Sequence, residues 1–447
     1  MLKQDVFENN HLWTAMFKMT IPTIFSSLFI VIYNLVDVFW IGRTGNPNQM
    51  AALVLAMPIF MLMMALGNIL GVGGSSYIAR LLGKKDFKTI KETSAFCFYA
   101  ALGLGFITNI CMIFGMSGLL KMLGTSEATA FFTRAYLTIV GYGCYALIFQ
   151  TAFSFIIRSE GAAKESMIGM TLGSIVNIVL DPICILYFNM GVQGAALATI
   201  VGAVCACLYF VWYLLKHKTN LSMRIQDLKL NWTVIREVVF VGLPASVSQM
   251  LMSISNVVLN NFLSKYGDMP IASMGIALRI HSFVPIVNIG FATGVAPLLG
   301  YNLGSGNLKR LKAIFHRALG LLFFTGVGFL IIFEWGATAF VSVMTDNAEI
   351  QYYSAYILRV VAATTPLLAV FFLAKTTLQA LGRSVEPMLL ALSRQGLIFL
   401  PTVVLFNRWF GLEGIVWAQP MADIFSVIIG MWMVMHFLHK ETKRLTG

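Results

Sequence analysis

Charge is what this chain lacks. Only 11% of its 447 residues are Asp, Glu, Lys or Arg, while 58% are hydrophobic. Soluble domains carry roughly 25% charged residues. So few charges cannot clothe a soluble globule of this size, so lipid must solvate much of the surface. Histidine is also scarce, at six. The six cysteines (Cys97, Cys111, Cys144, Cys184, Cys205 and Cys207) sit in apolar stretches, without the spacing to a histidine that a metal site needs. They read as small core residues, in neither disulfides nor metal centres. Neither His-Glu-x-x-His nor Gly-x-Ser-x-Gly occurs, so no enzyme of those classes is expected. The net charge of +12 comes without a basic stripe of interleaved aromatics, which argues against nucleic-acid binding. Residues 1–13 are polar and mixed, and the apolar run after them is too long for a signal-peptide core. No cleaved leader is therefore expected.

Long apolar runs dominate what is there. A helix needs about 20 mostly apolar residues to cross a bilayer. Twelve such runs are read, at roughly 16–42, 51–80, 93–118, 133–157, 166–188 and 193–215, then 237–264, 271–301, 313–340, 352–380, 387–407 and 412–438. With the N-terminus placed in the cytoplasm, 22 Lys and Arg fall on the cytoplasmic side and five on the outer side. Arg279, Arg359, Lys375 and Arg394 lie within spans. This asymmetry predicts an even number of spans and both termini cytoplasmic in a cell membrane.

The chain also repeats itself. Pro22, Asn34 and Gly45 fall on Pro244, Asn256 and Gly267 at an offset of 222, and Gly73 and Gly161 fall on Gly294 and Gly382 at 221. Gly191, Gly194 and Ala198 fall on Gly411, Gly414 and Ala418 at 220. The reading is an all-α polytopic membrane protein of twelve transmembrane helices in two pseudo-symmetric six-helix bundles, 1–220 and 221–447. Six spans per half give both repeats one orientation, with a site between or within them. Glycines at fourfold spacing (Gly67 and Gly71, Gly290 and Gly294) read as close helix packing. Pro22, Pro58, Pro244, Pro285, Pro366 and Pro401 each remove a backbone donor and mark expected kinks.

Acids inside the spans are few: Asp37, Asp181, Glu334 and Asp423. A charge at the bilayer centre costs about 2.5–3.5 kcal/mol on insertion scales, so such residues are functional candidates. Tyr33 shares a helix face with Asp37, and Asn34 lies beside them. Asn177 is one turn before Asp181, and Thr199 comes early in the sixth span. Counted from the span ends, Asp37, Asp181 and Thr199 all lie roughly 7–11 Å below the outer surface. Two carboxylates, an amide and a hydroxyl at one depth suit a hard cation or a proton. A structural hydrogen-bond network is the equally weighted alternative. In the second half, Asp37 aligns with Leu259 and Asp181 with Thr402, so the acids are not duplicated. Arg279, His281, Lys375, Arg394 and Asp423 stand there instead. The plain reading of these is an Arg394–Asp423 salt bridge and a satisfied interior histidine, with Glu334 beside Trp335 at the outer interface.

With twelve spans in two lobes, Pro22 fifteen residues before Asp37, and Asn177, Asp181 and Thr199 at this spacing, the chain resembles the MATE multidrug exporters, nearest their MepA-like bacterial branch. The resemblance covers nearly the whole length. It implies a V-shaped pair of bundles of the MATE/MOP type that exchanges inward Na⁺ or H⁺ for organic, often cationic, drugs. It implies a cation site of Asp37, Asn177, Asp181 and Thr199, with Tyr33 and Asn34 as neighbours and Pro22 as a bend in the first span. No cofactor beyond the coupling ion is implied. The expected partners are small-molecule drugs and the bilayer, with the protein acting as a monomer. Some members also carry acids in the second lobe, where this chain has Lys375. A lipid-linked oligosaccharide flippase of the same superfamily is the alternative, left open by Arg279, Lys375 and Arg394.

Overall fold

Residues 5–446 are described by the computed structural model, and every regular element among them is helical. Lys3, counted above on the cytoplasmic side, lies outside them. Six long apolar helices form the first series: α1 (Leu12–Arg43), α2 (Pro47–Lys84), α3 (Phe87–Met122), α4 (Glu127–Ser159), α5 (Ala163–Tyr187) and α6 (Val192–Lys216). The second series is α7 (Trp232–Tyr266), α8 (Asp268–Gly304), α9 (Leu308–Ser342), α10 in two segments (Ala348–Ala362 and Thr365–Ala380), α11 (Val385–Phe410) and α12 (Leu412–Arg444). Among the described residues, eleven helices long and apolar enough to cross a membrane and one pair bent by 47° make twelve spans when the pair is counted as one. The protein is a multi-pass membrane protein.

The repeat is legible in the backbone. Gly45 and Gly267, Gly161 and Gly382, and Gly191 and Gly411 all adopt positive φ, which a side chain disfavours. Asp86 caps α3 by accepting from the Thr89 amide at 3.1 Å, and Asn307 caps α9 by accepting from the Arg310 amide at 3.0 Å. These two caps sit 221 residues apart, each just after a left-handed residue, Lys85 or Gly306. A short polar side chain at this position satisfies an orphan helix-end N–H.

The chain divides into two compact units, Met1–Leu243 and Pro244–Gly447. The division falls inside α7, downstream of the 220/221 boundary read from the sequence. The polar segment after α6 packs on the first unit. Ser222 N–H donates to Ser94 Oγ at 2.8 Å, Tyr99 Oη to the Met223 carbonyl at 3.1 Å, and Lys229 pairs with Glu92 at 3.1 Å. The start of α7 also sits hard against α2. A Cβ on Gly73 would lie 1.8 Å from the Val238 carbonyl oxygen, and one on Gly242 1.9 Å from that of Ile69.

The glycine stripe has the packing role read for it: Cβ atoms on Gly67 and Gly71 would press on Thr151 and Ala152 of α4 at 2.7 and 3.1 Å. The prolines behave less uniformly than expected. Pro366 stands at the 47° break of α10. Pro22, Pro58 and Pro244 lie within helices that run on through them. Pro182 was not among the expected kinks, yet the last turn of α5, Ile183–Tyr187, winds as a π-helix directly after it. A proline has no N–H for the α-helical ladder, and a wider turn absorbs the loss.

Candidate functional site

The cluster in the first unit starts from a glycine contact. On α5 and α6, a Cβ on Gly173 would meet the Gly202 carbonyl oxygen at 2.7 Å, and one on Gly202 would meet that of Gly173 at 2.5 Å. Only two bare backbones can approach so closely. One turn after Gly173 comes Asn177, and three residues before Gly202 comes Thr199. The glycine contact therefore sets the two polar side chains against each other: Asn177 Nδ2 lies 3.4 Å from Thr199 Oγ1. The same amide donates to Asp37 Oδ1 on α1 at 3.2 Å. Asn177 thus ties three helices together at one level.

Asp181, one turn on, is fully buried, and its carboxyl group lies within interaction range of Asp37. Neither of its oxygens has a hydrogen-bond donor among the described residues, nor does Asn177 Oδ1. Buried polar atoms almost always have a partner, so three orphaned oxygens at one point are notable. With Asp37 Oδ2 and Thr199 Oγ1 they form an all-oxygen donor set, the chemistry of a hard cation or of a shared proton. Among the described residues, no three His, Cys, Asp or Glu side chains converge on a metal site, so amide and hydroxyl oxygens would have to complete any coordination. Beside the cluster lies a small, partly open cavity lined by Tyr33, Gln150, Met170, Ser174, Asn177 and Thr199.

The other expected residues divide. Tyr33 is buried one turn before Asp37 and lines the cavity. Asn34 donates its amide to the Ile30 carbonyl on its own helix at 2.7 Å and stays within side-chain interaction range of Tyr33. Pro22 lies four helical turns from Asp37, about 22 Å along the axis. Tyr136 on α4 was missed; it is buried within electrostatic range of both acids. Its place nine residues into α4 gives it a depth comparable with the cluster, which is the signal that could have found it.

The second unit has no counterpart. Leu259 stands where α1 carries Asp37, and it belongs to an apolar core with Phe399 and Val403 of α11. Its polar residues gather elsewhere. Arg394 Nε donates to Asp423 Oδ1 at 2.7 Å, and Asp423 also accepts from Gln419 at 2.9 Å and Thr364 at 3.2 Å. The Arg394–Asp423 salt bridge read from the sequence is present. His281 Nε2 faces Thr365 Oγ1 at 3.3 Å, a satisfied interior group. Arg279 is exposed. Arg359 meets Glu334 at 4.0 Å.

Comparison with known proteins agrees with this architecture. The MatE family model matches twice, over residues 22–183 and 244–405, two equal segments 222 residues apart. The chain is 33% identical over 428 residues to the multidrug export protein MepA of Staphylococcus saprophyticus, spanning 96% of this chain and 94% of MepA. Its fold matches that of a multidrug resistance MATE family transporter of the MOP superfamily in an outward-facing conformation, with a TM-score of 0.91 and 26% identity over 96% of both chains. A MATE crystal structure in the straight conformation matches with a TM-score of 0.94 and 25% identity over 99% of both chains. Two family matches covering most of the chain, on a duplicated twelve-span fold, show that the chain belongs to the MatE family.

Proposed function

We propose that this protein exports organic, often cationic, small molecules across the cell membrane by antiport, in exchange for inward Na⁺ or H⁺. One observation carries the coupling half of this reading. Asp37 and Asp181 stand together on separate helices of the first unit, with Asn177 bridging to Thr199 and three oxygens left without donors. The resemblance to MepA supports drugs as the exported cargo. Positive-inside asymmetry supports cytoplasmic termini, which puts the cluster near the outer face.

The coupling ion is cargo here. Binding of Na⁺ by the oxygen set, or of H⁺ by the acid pair, lowers the repulsion between Asp37 and Asp181. It lets α1 and α5 settle closer and stabilises the state that releases drug outward. Loss of the ion toward the cytoplasm restores the repulsion and favours drug binding. Exchange requires only that each ligand bind the two states with different affinity. An oligosaccharide flippase needs a broadly cationic cavity. Arg394 is neutralised by Asp423, which leaves that alternative Arg279 and Lys375.

The test is ethidium efflux from loaded proteoliposomes with a Na⁺ or an H⁺ gradient imposed separately. One gradient is expected to drive efflux in the wild type, and Asp37→Asn is expected to reduce it to the level of empty vesicles. Undiminished gradient-driven efflux by the variant removes Asp37 from the mechanism.

A further inference from the structure

The second unit holds a cation that nothing in the coupling scheme uses. Lys375 lies on the second segment of α10, part-buried, five residues before its end. Its only hydrogen-bond partner among the described residues is Ser248 Oγ on α7, at 3.0 Å. An ammonium group has three donors, so two remain. Among the described residues no carboxylate stands within salt-bridge distance, although Arg394, a second cation, is within electrostatic range. Asp423, the acid paired with Arg394, also accepts from Gln419 and Thr364. Arg394 is further covered by the rings of Phe371 and Phe372, at 5.2 and 5.9 Å.

A long lysine near a helix end commonly snorkels its head toward water. This one is held instead. Ser248 donates its own proton to the Pro244 carbonyl at 2.6 Å, a carbonyl whose helical partner is its own i+4 residue. The hydroxyl lone pair is thereby fixed toward the lysine. The result is an anchored cation within a span, without a carboxylate partner among the described residues, beside a guanidinium already paired with Asp423. Such a charge is costly unless an anion meets it, and none of the described residues supplies one.

We propose that Lys375 anchors an anion-accepting subsite in the second unit, which takes the carboxylate, sulfonate or phosphate oxygen of an amphiphilic molecule. The anion can come from an exported zwitterionic or acidic amphiphile, or from a lipid headgroup. The inference borrows from the export reading only to name the first source. Binding is read at equilibrium without any gradient, so its failure and a failure of antiport are separable.

The experiment uses the full chain in nanodiscs and two fluorescent probes, dansylglycine and its methyl ester, which differ by one negative charge. The wild type is expected to bind the acid roughly tenfold to a hundredfold more tightly than the ester, the range for a charged hydrogen bond. Lys375→Met is expected to abolish that preference and Lys375→Arg to keep most of it. Ser248→Ala, which leaves the charge in place, is expected to weaken it and serves if Lys375→Met does not fold. A parallel arm compares melting in phosphatidylcholine nanodiscs with and without phosphatidylglycerol. An upward shift lost in Lys375→Met supports the subsite with a headgroup as its source. An acid preference that persists in Lys375→Met overturns the proposal. So does equal binding of acid and ester by the wild type when phosphatidylglycerol also gives no Lys375-dependent shift.

Discussion

The two units share a helix plan, turn glycines and caps, yet they bury polarity in different places. In the first unit the α1–α5–α6 contact holds Asp37, Asn177, Asp181 and Thr199. In the second, the matching region is Leu259, Phe399 and Val403 in an apolar core. Its polar residues lie on α10, α11 and α12 around Arg394 and Asp423. The hydrogen-bond inventories differ too. Asp423 is met by three donors, while both oxygens of Asp181 have none among the described residues. A satisfied buried acid is a structural element. Asp181 has instead the Asp37 carboxyl beside it, which is the contrast the proposed ion site rests on.

This contrast can be broken from either side. The largest effect is expected at the satisfied pair. Arg394→Met leaves Asp423 charged and buried, and should cost about 3–5 kcal/mol, read by thermal melting in detergent. The double variant Arg394→Met, Asp423→Leu should recover most of that loss. Next is Leu259→Asn, which grafts polarity from the first unit onto the second. Its amide would have no partner in that core and should cost about 1–3 kcal/mol. An equally stable Leu259→Asn would show that the second core already tolerates a polar site.

Gly202→Ala attacks the backbone contact under the first unit's cluster. Its Cβ would stand 2.5 Å from the Gly173 carbonyl oxygen and 3.2 Å from the Asn177 side chain. Overpacking of this kind costs about 1–3 kcal/mol. It should also separate Asn177 from Thr199, so coupled efflux should fall further than the melting temperature suggests. The smallest effects belong to the caps, Asp86→Ala and Asn307→Ala, at about 1 kcal/mol each. The hydrogen bonds from Thr89 hold the Asp86 carboxyl below its ordinary value. A group so depressed stabilises the fold above its unfolded-state pKa, and that contribution is lost as the pH falls through its folded one. The Asp86 cap should therefore weaken under acid, whereas the Asn307 cap, which does not titrate, should not. Melting of the two cap variants at neutral and acid pH separates them.

Much of this was legible in the sequence, for physical reasons. Spans follow from apolar length, and the repeat from Pro and Gly at a near-constant offset. The four polar residues stood out because acids in spans are costly and helix rise converts position into depth. What was not legible depends on helix rotation and side-chain torsion. Asn34 and Tyr33 are adjacent in sequence, yet the Asn34 amide bonds back to Ile30 while Tyr33 lines the cavity. Tyr136 needed the α4 phase, which its packing sets. The compact-unit division at Leu243/Pro244 reflects tertiary contacts of the linker and of Gly73 with Val238, which no composition shift announces.

The most direct measurement is ion movement driven by drug. Proteoliposomes are given an ethidium gradient alone, and the counter-movement of radioactive sodium and of protons, the latter by a pH-sensitive dye, is followed in the wild type and in Asp181→Asn. The account predicts that one of the two ions moves against ethidium in the wild type and that this movement vanishes in the variant. Ethidium-driven ion movement of wild-type size in Asp181→Asn would contradict it.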